Sequence, residues 1–272
     1  MNMNTIASTM IGLSVATLAP TAHAAVTAGT SSGVGIDVGV SALSLVDLDV
    51  GPLAQSSGTA PAAYSTTNFV ATVNSSVVLG SVAATDDGDG AINTSASSDV
   101  DGSSGAKLAT SNATVNGLGV TLIPGIVLTP DFLSITSDTI TSTSSSSGDF
   151  GSLVSTGSAI IENLSITIAG TDLLVGINNP SPNTVIVDAG GIAGLTIVLN
   201  EQIPSGDGIS STGMTTNALR VSLDAITVGA VSGLTGDIVI GQTTSGLAAV
   251  PEPAVSLLGG LGLIGLLRRR RS

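Results

Sequence analysis

The sequence predicts an all-β protein built as an antiparallel β-sandwich-like domain, on three observations. Apolar residues recur at every second position through the middle of the chain, β-branched residues fill those runs, and clusters of Gly, Pro and Asn separate them. A β-barrel or a β-solenoid is the alternative, although no strict repeat of about 20 residues supports a solenoid. The domain is expected at residues 25–248. It is flanked by an N-terminal signal helix at residues 1–24 and by a tail at 249–272 that carries a short apolar helix.

The opening stretch, MNMNTIASTMIGLSVATLAPTAHA, is apolar from Met10 to Ala19 and ends in Ala22-His23-Ala24. Small residues at Ala22 and Ala24 form an A-x-A cleavage pattern, so cutting is expected after Ala24 and the mature chain is expected to begin at Ala25. No Lys or Arg precedes the apolar stretch, and only the amino terminus supplies positive charge.

The middle alternates. Val34, Ile36, Val38 and Val40 are spaced by Gly35, Asp37 and Gly39; Ile160, Leu164, Ile166 and Ile168 share one parity; Leu195, Ile197, Leu199 and Leu219, Val221, Leu223 repeat the pattern. Period two is the mark of strands with one buried face. Turn residues stand between them at Asn178–Asn183, Gly190-Gly191 and Pro204–Gly208. A dozen or so short strands are expected, with long loops at Ala84–Gly105 and Ser142–Gly151, where Asp, Ser and Gly crowd.

Composition narrows the chemistry. The chain is 42% hydrophobic, too apolar for a disordered tail. Of its 19 acids and six Lys or Arg, the tail holds Glu252 and four arginines; the rest carries Lys107 and Arg220 against 18 acids, a balance of −16. Such a surface repels nucleic acid and anionic lipid, and neither is expected as a partner of the domain. Cysteine is absent, and His23, in the expected signal peptide, is the one histidine. That removes Ser-His-Asp and Cys-His catalysis and His-ligated zinc from the mature chain. With no Trp and four other aromatics (Tyr64, Phe69, Phe132, Phe150), an aromatic-lined pocket is hard to build. A carboxylate-based glycoside hydrolase is the surviving enzymatic alternative, since it needs only two acids, but it also needs an apolar pocket to raise one carboxyl pKa. The expectation is a protein that is not an enzyme.

Two constellations stand out. Asp86, Asp87 and Asp89 in Thr85-Asp86-Asp87-Gly88-Asp89-Gly90 resemble the start of a calcium loop. With Gly90 at the sixth position of an EF-hand, Thr85 and Ala96 occupy the first and twelfth, and both ends fail; Asp99 and Asp101 could add oxygens from the same stretch. No cofactor is therefore assigned, with calcium as the alternative and a solvated turn as the plainer reading. Glu201 and Arg220 are the second candidate: both sit on or beside strands, which allows a structural cross-strand ion pair, with unpaired surface positions as the plainer reading and a catalytic role as the remotest.

The chain closes with VPEPAVSLLGGLGLIGLLRRRRS. The apolar run from Ala254 to Leu267 makes a helix of about 21 Å, short of the roughly 30 Å of a hydrocarbon core. A buried core helix is the alternative, but Arg268, Arg269, Arg270 and Arg271 cannot follow the run into a protein interior unpaired. They suit the cytoplasmic edge of a bilayer, as a membrane stop. Pro251 and Pro253 hold the chain extended about Glu252.

Pro251-Glu252-Pro253, the glycine-interrupted apolar run and the terminal arginines, in that order, resemble a PEP-CTERM sorting signal. The resemblance implies a precursor held in the inner membrane and cut by an exosortase near Pro251, Glu252 and Pro253, then carried to the cell surface or beyond. It also implies a setting of exopolysaccharide and biofilm, with extracellular polysaccharide as a partner. The succession ENLSITIAG, LTIVLNEQ, TTNALRVSL and GDIVIGQTTSG is similar to the choice-of-anchor P ectodomain, most closely at Leu199–Gln202 and Ile238–Gly241. The resulting expectation is a non-catalytic structural protein of the cell surface or extracellular matrix. The alternative from another class is a calcium-assisted adhesin or carbohydrate-binding module.

Overall fold

A computed structural model of the 272-residue chain describes residues 25–42, 46–77, 80–84, 91–122, 131–187, 191–228 and 231–250. Among them lie sixteen strands: β1 (Ala25–Ala42), β2 (Val46–Leu53), β3 (Ser56–Thr59), β4 (Tyr64–Val70), β5 (Val73–Val77), β6 (Gly80–Ala84), β7 (Ile92–Ser98) and β8 (Lys107–Leu122). They continue as β9 (Leu133–Gly148), β10 (Val154–Glu162), β11 (Leu164–Ile168), β12 (Thr171–Ile177), β13 (Thr184–Val187), β14 (Leu195–Gly206), β15 (Ser211–Val228) and β16 (Val231–Val250). The expected flanking helices fall outside the described residues.

Every pairing is antiparallel. One sheet runs β13-β14-β15-β16-β1-β2, with β3 beside β1; the other runs β12-β11-β9-β8-β6-β5, with β10 beside β9 and β7 and β4 beyond β8. Five strands, β1, β8, β9, β15 and β16, run the length of the sandwich, and shorter strands take turns beside them. β11 pairs with Leu133–Thr136 of β9 and β10 with Thr139–Ser147; β6 pairs with Gly119–Leu122 of β8 and β7 with Ala109–Val115. The molecule therefore has two halves along its strands.

The inward parity slips by one residue at the junction. On β16 the inward residues are Leu234, Ile238 and Ile240, then Thr243, Ser245, Leu247 and Ala249; on β8 they are Ala109, Ser111, Ala113 and Val115, then Leu118, Val120 and Leu122. Gly241 (φ +62°), Gly117 (φ +54°) and Asn200 (φ +50°) stand at these slips in the left-handed region. A slip of one residue would turn a strand inside out unless a bulge absorbs it.

One half is packed as the alternation predicts. Val34, Ile36, Val38, Val40, Leu195, Ile197, Leu199, Leu219, Val221 and Leu223 are all buried, as are Leu164, Ile166 and Ile168. Ile160 is the exception: it is 51% exposed while Ile161 is buried, because Asn163 (φ +52°) breaks the chain between β10 and β11 and resets the parity. The strands are also longer than expected, and both expected loops contain strand. Ile92–Ser98 is β7, and Ser142–Gly148 is the end of β9, held between β8 and β10. The turn expected at Pro204–Gly208 begins later, since β14 continues through Gly206.

Candidate functional site

The other half, toward the β16 C-terminus, carries a band of buried hydroxyls beside a small apolar cluster of Val26, Val100, Leu153, Leu247 and Ala249. Ser111, Ser142, Ser144, Ser146, Thr212, Thr216, Thr243 and Ser245 are buried between the sheets, alongside Ala109, Ala113 and Ala218. Ser144 Oγ donates to Thr216 Oγ1 (2.9 Å) and lies 2.9 Å from Thr243 Oγ1. A serine has one proton to give, and the Thr243 carbonyl oxygen at 3.1 Å competes for it, so either hydroxyl can donate in the Thr243 Oγ1 contact. Ser146 Oγ meets Ser245 Oγ at 2.9 Å, and Ser111 Oγ donates to the Thr244 carbonyl of the opposite sheet at 2.9 Å. Small side chains let the sheets approach. A Cβ on Gly33 of β1 would stand 2.7 Å from the Asn112 carbonyl oxygen of β8.

The outer face of the same half is an uncharged lattice. Cross-strand registers set out rows across β4, β7, β8, β9 and β10: Thr67, Ser95, Asn112, Thr143, Ser158, then Ser65, Ser97, Thr110, Ser145, Thr156. A further row adds Asn93, Thr114 and Thr141, with Phe69 and Ile160 at its ends. All are exposed or half-buried. Strand geometry spaces them about 4.8 Å across and about 6.8 Å along the sheet. Thr114–Thr141 (3.2 Å) and Thr143–Ser158 (2.8 Å) hydroxyl pairs tie neighbouring strands. On the opposite sheet, Gly213 faces Gly246 across β15 and β16, and the missing side chains leave a groove of about 220 Å³ rimmed by Thr30, Ser205 and Thr244.

Both ends of the described chain meet at this end of the sandwich: Ala25 pairs with Val250. The loops there are closely tied. Asp207 accepts from the backbone N–H groups of Ser211, Ile209 and Ser210 and from the Ser210 hydroxyl, which hold its carboxyl well below the usual range. Asp101 is lowered likewise, first by the Lys107 ammonium at 2.6 Å and then by Ser103. Asp99 accepts the Leu108 N–H at 2.6 Å. The two acids expected to help a calcium loop are thus committed to other partners. Asp86, Asp87 and Asp89 lie outside the described residues, and among the described residues no cluster of His, Cys, Asp and Glu is disposed to hold a metal.

Of the readings open for Glu201 and Arg220 the ion pair is the one that forms, with Arg220 Nη1 3.6 Å from Glu201 Oε1, but it is the longer of two contacts. Arg220 also grips Asp237 through Nη2 and Nε, both at 3.1 Å. Asn217 donates to Glu201 (2.6 Å) and Gln242 to Asn217 (3.0 Å), completing a polar chain on the outer face of the sheet. The sequence reading missed Asp237, Asn217 and Gln242, because the register of three strands alone brings them together. Nearby on β1, burial and then the Asp49 carboxylate raise the Asp37 pKa.

Ala22, Ala24, Pro251, Glu252, Pro253 and Arg268–Arg271 lie outside the described residues. The comparisons with known proteins bear on the last seven of these. The PEP-CTERM protein-sorting motif matches residues 249–271, so its first two residues are the last two of β16. That match supports an exported exosortase substrate with a membrane-anchored precursor stage. No curated protein and no solved structure matches the chain.

Proposed function

We propose that this chain is a non-catalytic structural protein of the cell surface or extracellular matrix. In this reading a signal peptide cut after Ala24 exports it and the tail parks it in the inner membrane. An exosortase then severs it near Pro251-Glu252-Pro253, and the released sandwich faces extracellular polysaccharide. The observation that carries the reading is the sorting motif at 249–271, joined without a spacer to a sandwich whose exposed sheet is a hydroxyl lattice. The likeness to choice-of-anchor P ectodomains, secreted β-rich domains joined to varied anchors, agrees with it.

The lattice suits a hydrated polymer. Each hydroxyl contact nets about 1 kcal/mol at most, because water competes for it. Many in register add up along a chain with repeating hydroxyls, and the aromatic ring in these rows, Phe69, stands at their edge rather than among them. An uncharged face also avoids the repulsion that the acidic remainder would impose on an acidic polymer. Retention on polysaccharide should therefore change little between low and high salt.

The alternative is a calcium-assisted adhesin acting through Asp86, Asp87 and Asp89, and a carboxylate-based hydrolase is the third reading. The exported form, applied to a glycan array with and without calcium, separates them. Weak, broad, salt-insensitive retention supports the structural reading. Saturable binding to one sugar that needs calcium favours the adhesin, and turnover of a labelled polysaccharide overturns the non-catalytic assignment.

A further inference from the structure

The end of the sandwich that carries the tail is unusually apolar for the tip of an acidic protein. Of the ten large apolar side chains exposed among the described residues, five lie here: Leu108, Phe150, Val154, Ile209 and Val250. Phe150 and Ile209 are at loop tips, 36% and 55% exposed, and Val250, at the last strand position, is 53% exposed. They form one surface. Gly151 N–H donates to the Ile209 carbonyl and Leu153 N–H to that of Gly208, both at 2.9 Å, and Ala249 N–H donates to the Ser210 carbonyl at 2.8 Å. The loop of Phe150, the loop of Ile209 and the root of the tail are thereby fastened in series.

The loops are also stiff. The Asp207 carboxylate is turned back onto three N–H groups of its own loop, and Asp149 accepts the Phe150 N–H at 2.8 Å. Apolar tips fixed in place lose little entropy on contact. The same carboxylates carry negative charge beside the tips, so the surface fits lipid of zwitterionic headgroup better than a strongly anionic one.

Chain length decides what covers this surface. Three residues separate Val250 from Ala254, where the apolar run begins, and the four Cα-to-Cα steps between them span no more than about 14 Å. The headgroup layer on one side of a bilayer is itself roughly 6 Å thick. A tail lodged in lipid therefore keeps Val250 within about 14 Å of the start of the apolar run, and the loops of Phe150 and Ile209 are fastened to that same root. We infer that Phe150, Ile209 and Val250 form a membrane seat, which rests the folded sandwich end-on against the bilayer while the precursor is anchored. The seat rests on the sorting reading above. It keeps the short segment about Pro251–Pro253 near the membrane surface for the exosortase, with the hydroxyl half next to the bilayer until cleavage frees it.

The chain contains no tryptophan, so single substitutions report their own depth without background. The full-length precursor, purified from a host lacking exosortase, is reconstituted in zwitterionic phosphatidylcholine vesicles with brominated acyl chains. Four variants are compared: Phe150→Trp, Ile209→Trp, Leu263→Trp in the tail and Val175→Trp on the far half. The seat predicts strong quenching at 263, partial quenching with a blue shift at 150 and 209, and none at 175. Quenching at 263 with none at 150 or 209 overturns the seat and leaves the sorting reading standing. No quenching at 263 removes the tail from the membrane and overturns both. If 150 and 209 stay unquenched while Phe150→Ser and Ile209→Ser still abolish processing in cells with exosortase, the surface meets the protease and the lipid assignment is wrong.

Discussion

Ser142 and Ser144 lie two residues apart on the same buried face of β9, yet they carry opposite consequences. Ser144 bonds Thr216 and Thr243 of the opposing sheet, whereas Ser142 Oγ is buried with no hydrogen-bond partner among the described residues. Ser144→Ala should therefore cost about 1–3 kcal/mol in chemical denaturation, while Ser142→Ala should be neutral or slightly stabilising, since it removes an unsatisfied group. Equal losses would mean that both hydroxyls are satisfied alike. Asp37 offers a second residue-level test. Burial and Asp49 raise its folded pKa above that of the unfolded chain, so the ionised carboxylate opposes folding at neutral pH, and that opposition fades as pH falls through the raised value. Water reaches the group and screens it, so Asp37→Asn should gain only a few tenths of a kcal/mol at neutral pH and lose the advantage in acid. A gain that persists unchanged at low pH would point to another cause. At this scale the sequence was partly readable. Glu201 and Arg220 stood out as scarce charges, but Asp237 lies 17 residues from Arg220 and meets it only through the register of β15 and β16.

Among the elements, the strands of the apolar half were readable and those of the hydroxyl half were not. Leu195–Leu199 and Leu219–Leu223 alternate against polar neighbours, which is a signal any strand with one wet face must give. In Thr139–Gly148 both faces are Ser or Thr apart from Ile140, so inside and outside look the same in sequence and the stretch passes for a loop. The inward slips at Gly117, Asn200 and Gly241 were hidden for the same reason: past the bulge the apolar marker stops. The close approach of the two sheets gives the element-scale prediction. Gly33→Ala sets a methyl against the Asn112 carbonyl at 2.7 Å, between β1 and β8, and should cost about 1–3 kcal/mol in thermal unfolding. Gly39→Ala, on the same strand with nothing within 4 Å, should cost nothing. If the two variants melt alike, the sheets are farther apart in the hydroxyl half than described.

For the whole molecule, the division of labour follows from what fills each half. Aliphatic burial in the half away from the tail supplies most of the non-directional stability, and the half beside the tail keeps a smaller apolar cluster about Val26, Val100, Leu153 and Leu247 and adds hydrogen bonds between the sheets and a polar lattice outside. β1 and β16 span both halves and bring Ala25 beside Val250, so the expected cut after Ala24 and the sorting motif at 249–271 sit at one end. Cleavage beyond Val250 leaves every strand pairing among the described residues intact. The most direct test is intact-mass spectrometry of the protein recovered outside cells that carry an exosortase, alongside cells in which the exosortase is deleted. The account predicts a product that begins at Ala25 and ends near Pro251–Pro253, with the longer, arginine-bearing form retained in the membrane of the deletion strain. An extracellular product still carrying Arg268–Arg271 would contradict it.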